Sequence, residues 1–196
     1  MISLDLELFR LINSWAGVNL FLDGAIIFSA SWFLYFMIAI VLLFPAISYL
    51  FSGFYGFWQK NKELFITMLL SSFVARFLFT ELIRILYYRP RPFIVPPEIL
   101  VKSQIYVTQL LPHANSSSFP SGHASFAFAL ALAVYYYYPK TGVVFFVLAV
   151  LMGAARVAAG VHWPLDILGG AVIGIITAWI VHNLWEKIKK ARNGLD

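Results

Sequence analysis

The sequence predicts an all-α integral membrane protein: a helical bundle of five to six transmembrane helices with an N-terminal amphipathic helix, in a single membrane-embedded domain over residues 1–196. Composition is the first reason, because the chain is 61% hydrophobic and only 12% charged, with a mean hydropathy of +0.82. Length is the second, because several apolar runs reach the roughly 20 residues with which a helix crosses about 30 Å of hydrocarbon. The sequence also has no internal repeat, linker or low-complexity tract that would indicate a second domain.

The first predicted element is a short helix over residues 4–15. Its apolar side chains recur at helical spacing against Asp5, Arg10 and Asn13. These apolar residues are Leu4, Leu8, Leu11, Ile12 and Trp15. The pattern is typical of a helix that lies in the interface plane, and it is too polar to span. Because Asp5 and Glu7 stand where a basic leader region would be, we expect no cleavable signal here.

Five apolar runs that follow are interpreted as transmembrane spans. They cover residues 24–49, 64–88, 119–138, 142–161 and 165–185. A polar loop at 58–62 separates the first two, and a turn at 139–142 separates the third from the fourth. Residues 89–119 contain five prolines, so we expect a folded, non-helical loop with a functional role.

The distribution of basic residues predicts the orientation. Lys60, Lys62 and Lys140 fall on the same side of the predicted bundle as the basic tail at 187–192. The positive-inside rule assigns that side to the cytoplasm, so residues 89–119 would face outward. We therefore expect a multi-pass protein of the inner (cytoplasmic) membrane, with its site facing the periplasm or exterior.

Charge and cysteine content exclude other classes of function. The net charge of +5 does not indicate a nucleic-acid partner, because no exposed basic tract with interleaved aromatic residues is present. The chain has no cysteine, which excludes disulfides and thiolate chemistry. The predicted partners are the lipid bilayer and a membrane lipid, and the oligomeric state is left open.

Three separated segments carry the chemistry of the predicted site. They are Arg84-x6-Arg91-Pro92, Pro120-Ser121-Gly122-His123 and Arg156-x5-His162-x3-Asp166. Each lies at the outer end of a predicted span, so the topology brings all three to one membrane face.

Arginines dominate this constellation, and their chemistry suits phosphate. The guanidiniums of Arg84, Arg91 and Arg156 offer planar forks that match phosphate oxygens, and the Ser121 and Gly122 amides at a helix start add donors. Clustered cations at the hydrocarbon edge, which cost about 2.5–3.5 kcal/mol each at mid-bilayer, are unfavourable without a bound anion.

Two histidines can divide the work of phosphoryl transfer. Asp166 lies four residues after His162, a spacing that lets its carboxylate hold one imidazole nitrogen and leave the other facing a substrate. This favours His162 as nucleophile and His123 as general acid. No cluster of carboxylates or metal-spaced histidines is present in the outer segments, so we expect no metal and no cofactor.

In residue type, spacing and order, these segments resemble the three motifs of the type 2 phosphatidate phosphatase superfamily of membrane-bound lipid phosphatases. The resemblance implies phosphate binding by five residues, acid catalysis by His123 and a phosphohistidine on His162 steadied by Asp166, without metal. The five are Arg84, Arg91, Ser121, Gly122 and Arg156. Two residues depart from the motifs: Arg84 replaces a lysine and Ala155 replaces a serine.

Within that family, the sequence is most similar to bacterial undecaprenyl-diphosphatases of the bacitracin-resistance type. The short chain, the amphipathic start and Leu-Pro-His before the second motif are the shared features. The resemblance implies hydrolysis of undecaprenyl diphosphate to the monophosphate, in cell envelope biogenesis. Lipid A 1-phosphatases and phosphatidylglycerophosphate phosphatases share the motifs and are alternatives.

Two other classes of membrane protein could contain the same residues. An anion or lipid transporter could use the arginines without breaking a bond, although it would need no oriented nucleophile. A purely structural membrane protein is disfavoured by the insertion cost of the charges. We interpret His113 as a loop residue, and Arg76 as paired with Glu81 or with carbonyls inside the bundle.

Overall fold

The structure is a computed structural model that describes residues 3–96 and 106–194, and these residues form helices and no strand. The α-helices are α1 (Ser3–Asn13), α2 (Leu20–Phe73), α3 (Thr80–Leu86), α4 (Gly122–Tyr137), α5 (Pro139–Ala158) and α6 (Pro164–Asn193). A π-helical turn, Val74–Phe79, joins α2 to α3, and a 3-10 turn covers Pro92–Ile94. The all-α prediction is confirmed.

Helix α2 contains the first predicted span and the beginning of the second, which continues through the π-helical turn and α3. Val41 and Leu64 line one cavity together with Tyr138, whereas a straight helix would separate them by about 34 Å. The helix therefore bends back between them. The loop predicted at 58–62 is wrong, because these residues are helical. They contain no glycine or proline, and polar residues alone do not end a helix.

Within the described residues, four helical segments are long and apolar enough to cross a membrane. They are Leu20–Leu43, Asn61–Leu86, Pro139–Ala158 and Pro164–Arg192. The third predicted span corresponds to α4, whose 16 residues fall below the usual length of a spanning helix. The protein is an integral membrane protein, and the count of five to six spans stays a prediction.

Helix α4 lies at the centre of the bundle and packs against α2, α5 and α6. Its interior face is rich in alanine, including Ala124, Ala127 and Ala131, all fully buried. On α6, a Cβ at position 174 would lie 2.4 Å from the Ser125 carbonyl oxygen, so only glycine fits there. Small residues of this kind let membrane helices approach closely. The tight α4–α6 contact fixes the second motif relative to the third.

Helix α1 docks through one face on the end of the bundle that carries the three motif segments. Phe9 is fully buried and its ring centroid lies 4.8 Å from that of Trp163. The buried Asn13 side chain bonds the backbone of Thr108 and the Ala158 carbonyl oxygen. Asp5, expected on the polar face, is also buried. Leu4, Leu8, Leu11 and Trp15 remain exposed, and orientation in the interface plane stays a prediction.

The segment before α4 and the segment between α5 and α6 lie at the same end of the bundle, and backbone contacts join them. Ser118 N–H donates to the Arg89 carbonyl oxygen at 2.8 Å, and Leu110 N–H donates to that of Ala159 at 3.1 Å. The predicted non-helical loop is confirmed over 89–91, 95–96 and 106–119, and its segment 97–105 lies outside the described residues. These bonds hold the three motif segments at one end of the bundle.

Candidate active site

The three motif segments meet directly. Ser121 N–H donates to the Asp166 carbonyl oxygen at 2.9 Å, which joins the second motif to the third. Arg91 Nη1 donates to the Val161 carbonyl oxygen at 2.8 Å, which joins the first to the third. Arg84 Nη2 donates to the Pro120 carbonyl oxygen at 3.0 Å, which joins the first to the second.

His162 is held between a carboxylate and a guanidinium. Its Nδ1 lies 3.3 Å from Asp166 Oδ2, and its Nε2 lies 3.3 Å from Arg91 Nη1. The carboxylate fixes the tautomer with the proton on Nδ1, so Nε2 carries the free lone pair. Because Arg91 Nη1 points at that lone pair, a phosphate bound by Arg91 is brought next to the atom that would attack it.

The imidazole of His162 is neutral at pH 7. Burial, and then the nearby charges of Arg156 and Arg91, hold the pKa of His162 well below its ordinary value of 6.5. Burial and the Arg84 charge also lower the pKa of Arg91 to about 10, which leaves it protonated. A neutral imidazole beside charged guanidiniums is the state that a nucleophile requires.

Asp166 is oriented by a second set of contacts that the sequence did not reveal. Its Oδ1 accepts from Arg89 Nη1 at 2.6 Å, and its Oδ2 accepts from the Trp163 N–H at 2.9 Å. Arg89 Nη2 also donates to Asp5, whose other oxygen accepts from the Leu165 N–H at 2.9 Å. A buried chain of ionic contacts thus runs from α1 through Arg89 to the carboxylate behind His162.

Two buried polar atoms in the motif residues have no hydrogen-bond partner. They are Ser121 Oγ and Arg156 Nε. Arg156 is 4% exposed, and its Nη1 donates to the Ala30 carbonyl oxygen at 3.2 Å. Buried polar groups are nearly always satisfied, so these orphaned donors indicate a ligand with acceptor oxygens. The Ala155 side chain lines an apolar cavity with Ile26 and Phe33.

Arg84 contacts both the second motif and a carboxylate on its own helix. Besides Pro120, it contacts Glu81 Oε1 through Nη1 at 3.0 Å. The same oxygen accepts from Arg76 Nη1, so the predicted pairing of Arg76 with Glu81 is confirmed. Arg84 therefore lies at the motif junction with part of its charge already neutralised.

His123 and His113 both lie near His162. His123, on the first turn of α4, interacts electrostatically with His162, His113 and Arg156. The His113 and His162 rings meet edge to face, with centroids 6.1 Å apart. Burial, and then Arg91 and Arg156, lower the pKa of His113 to about 4. His113 was interpreted as a loop residue, and its place beside His162 depends on the fold of the loop, which its position in the sequence does not define.

The described residues contain no group of three or more histidine, aspartate or glutamate side chains that could together hold a metal ion. The guanidiniums and the orphaned donors of Ser121 and Arg156 suit the oxygens of a phosphate, and phosphate binding by these residues stays a prediction. The site combines one neutral imidazole with a fixed carboxylate, a second imidazole and several guanidiniums. This arrangement can bind a phosphoryl group and transfer it to nitrogen.

Residues 63–190 match the profile of the PAP2 superfamily. The chain belongs to the PAP2 superfamily. It is 29% identical over 186 residues to undecaprenyl-diphosphatase BcrC of Bacillus subtilis (strain 168), covering 95% of this chain and 86% of that protein. It is also 28% identical over 182 residues to the bacitracin transport permease protein BcrC of Bacillus licheniformis, covering 91% of this chain and 79% of the relative.

Among solved PAP2 structures, that of Aquifex aeolicus LpxE superimposes with a TM-score of 0.63 at 28% identity, over 92% of this chain and 95% of the other. The family resemblance proposed from the three motifs is thus confirmed, as is the similarity to the bacitracin-resistance type. This PAP2 protein is a membrane-bound phosphatase. The roles of its individual site residues remain predictions.

Proposed function

We propose that this phosphatase hydrolyses a lipid diphosphate, undecaprenyl diphosphate to the monophosphate, at the outer face of the cytoplasmic membrane, through a phosphohistidine and without metal. The observation that carries the proposal is the placement of His162, with Asp166 on Nδ1 and Arg91 at Nε2. The substrate assignment draws on the similarity to undecaprenyl-diphosphatase BcrC over nearly the whole chain.

In the first step, His162 Nε2 attacks the terminal phosphorus. A P–N bond forms as the bond to the bridging oxygen breaks, and His123 supplies a proton to the departing oxygen where one is needed. Arg91, Arg156 and the unpartnered Ser121 hydroxyl hold the non-bridging oxygens. Charge that develops on these oxygens is stabilised by donors already in place. The leaving group is the lipid monophosphate.

In the second step, water replaces the leaving group and attacks the phosphohistidine. His123 accepts a proton from this water, which restores the proton that it gave up wherever the first step required one. The P–N bond breaks, inorganic phosphate is released, and His162 returns to its neutral form. Asp166 stabilises the positive charge on His162 while the phosphoryl group is attached.

Other lipid phosphates are alternatives, because the catalytic residues contact the phosphate and not the tail. Shorter matches to lipid A 1-phosphatase of Rhizobium etli and phosphatidylglycerophosphatase B of Bacillus subtilis, both 36% identical, keep these substrates open. A panel of polyprenyl, lipid A and glycerophospholipid substrates, compared by kcat/KM in purified protein, tests the assignment. Faster hydrolysis of either alternative would overturn it.

A transporter is the second candidate, and the permease name of one relative favours it. Binding and release of an anion would need no oriented imidazole, whereas His162 is fully buried with both nitrogens engaged. Release of inorganic phosphate from purified protein in detergent separates the two candidates, since transport cannot be observed without a closed membrane.

Phosphate release is expected to persist in excess chelator. The described part of the chain offers no set of side chains that could together hold Mg²⁺ or Zn²⁺, and the arginines supply the positive charge instead. The measurement compares initial rates with and without EDTA after prior dialysis against it. Complete loss of activity on chelation, restored by one metal, would contradict the proposed mechanism.

A reporter fused after Asp196 is expected to lie in the cytoplasm. Lys189 Nζ pairs with Glu63 Oε2 at 2.8 Å, so the basic tail lies at the same end as the start of the second candidate span. That end carries the basic excess that the positive-inside rule assigns to the cytoplasm. Matched fusions of a phosphatase reporter and a fluorescent reporter measure the location, and an external C-terminus would reverse the proposed orientation.

A further inference from the structure

Three charged residues form an ionic cluster within the second candidate span, Asn61–Leu86. Arg76 Nη1 and Arg84 Nη1 both donate to one oxygen, Glu81 Oε1. The Arg76 and Glu81 side chains are 28% and 43% exposed on the wall of the bundle. Ionisable groups inside a membrane segment cost several kcal/mol and usually mark a functional site. A contribution to stability therefore does not explain why these three charged residues are present.

The π-helical turn Val74–Phe79 creates the cluster. In a regular α-helix, residues five apart point about 140° apart, so Arg76 and Glu81 could not face each other. The wider turn, in which Thr80 N–H donates to the Ala75 carbonyl oxygen, places them on one face. Thr80 Oγ1 donates to the Ser125 hydroxyl of α4 at 2.8 Å, which anchors the turn. Such turns are frequent at functional sites.

The Arg76 side chain reaches the start of α4, where the second motif lies. A Cβ at Gly122 would fall 2.5 Å from Arg76 Nε, so the guanidinium passes directly over this glycine. Arg76 also interacts electrostatically with His123 and with Arg84. Arg76 is thus a cation close to His123, the predicted acid, and it lies at the exposed wall of the bundle.

We propose that Arg76, together with Arg84, binds the second phosphate of a diphosphate lipid, the phosphate that stays on the tail. This rests on the proposed function, in which His162 attacks the terminal phosphate and His123 faces the bridging oxygen. Beyond that oxygen the next group is the second phosphate, and the next cation is Arg76. Glu81 occupies the same guanidiniums when substrate is absent, and the substrate displaces it.

Arg76 and Arg84 would distinguish diphosphates from monophosphates, because a monophosphate ester has no second phosphate that they could bind. Its leaving group is an alcohol, which neither requires nor contacts Arg76. A diphosphate brings a second negative group to Arg76 and Arg84. In the absence of substrate, these two cations share the single carboxylate of Glu81. Charged hydrogen bonds of this kind distinguish a ligand that makes them from one that cannot.

The test compares farnesyl diphosphate with farnesyl phosphate, which share one tail. For Arg76→Gln, kcat/KM for the diphosphate is expected to fall about 10- to 100-fold, the range for a lost charged hydrogen bond, while that for the monophosphate changes less than about threefold. Arg76→Lys keeps the charge and is expected to recover part of the loss. Arg192→Gln, at the other end of the molecule, is the matched control.

The ratio of the two kcat/KM values in one preparation does not depend on the fraction of folded protein, so partial misfolding leaves the result interpretable. Glu81→Gln, which removes the internal competitor, is expected to lower KM for the diphosphate alone. An equal fall on both substrates, or an unchanged ratio in Arg76→Gln, overturns the proposal. Failure of the wild-type protein to hydrolyse the diphosphate at all would instead overturn the proposed function.

Discussion

Replacing His162 by alanine is expected to abolish the covalent phosphoenzyme and to lower turnover by about 10⁴-fold or more, as loss of a nucleophile does in other covalent enzymes. The reason is geometric: Nε2 is the atom that the Arg91 guanidinium faces, and Asp166 holds the opposite side of the ring. Rapid quench with ³²P-labelled substrate, followed by mass spectrometry of the trapped protein, measures the intermediate.

His123→Ala is the matched control for that experiment. It is expected to keep the phosphoenzyme but to slow its formation from poor leaving groups by about 10²–10⁴, the usual contribution of a general acid. A diphosphate should tolerate the change better than a monophosphate ester, because a lipid phosphate leaves without protonation more readily than an alkoxide. A phosphoryl group on His123, with His162 unmodified, would reverse the assignment.

Arg89→Gln is expected to be the most damaging substitution at a position for which the three motifs specify no residue type. Arg89 is 8% exposed and bridges the fully buried carboxyl groups of Asp5 and Asp166. Removing the shared cation leaves two buried carboxylates unpaired, and breaking a buried pair in this way costs about 3–5 kcal/mol. The midpoint of thermal unfolding in detergent and the rate of phosphoenzyme formation are the two measurements.

The double variant Arg89→Gln with Asp5→Asn separates the two carboxylates. Neutralising Asp5 removes one of the unpaired anions, so part of the lost stability should return. The rate should stay low, because Asp166 would still lack the guanidinium that orients it toward His162. Full recovery of the rate in the double variant would show that Arg89 does not act through Asp166.

The sequence could predict that the three motifs lie at the same end of the bundle, because the number of spans between two motifs determines their relative positions. Each motif adjoins the end of a predicted span, and an even number of crossings, none between the first two motifs and two between the second and third, returns the chain to the same face. The motif spacing selects Arg91, but it assigns no role to Arg89, which also precedes a proline and lies two residues away. Only the structure shows that Arg91 faces the imidazole while Arg89 faces the carboxylates.

Other features had no local sequence pattern to predict them. Asp5 contacts Leu165 across 160 positions, and nothing near Asp5 indicates that partner. The π-helical turn contains neither glycine nor proline, so its extra residue cannot be located from hydropathy. The tight contact at Gly174 places α4 inside the bundle, and the hydropathy of α4 does not indicate which of its neighbours it packs against.

The link from Asp5 through Arg89 to Asp166 also sets the time at which the enzyme can become active during its synthesis. Asp5 leaves the ribosome first and Asp166 last, and at about 5–20 residues per second roughly 8–30 s separate them. Until the final helix has been inserted, the carboxylate behind His162 is absent and Asp5 has only part of its partners. With His162 and Asp166 in their proposed roles, a nascent chain in the translocon is therefore expected to be inactive toward the lipids around it until membrane insertion is nearly finished.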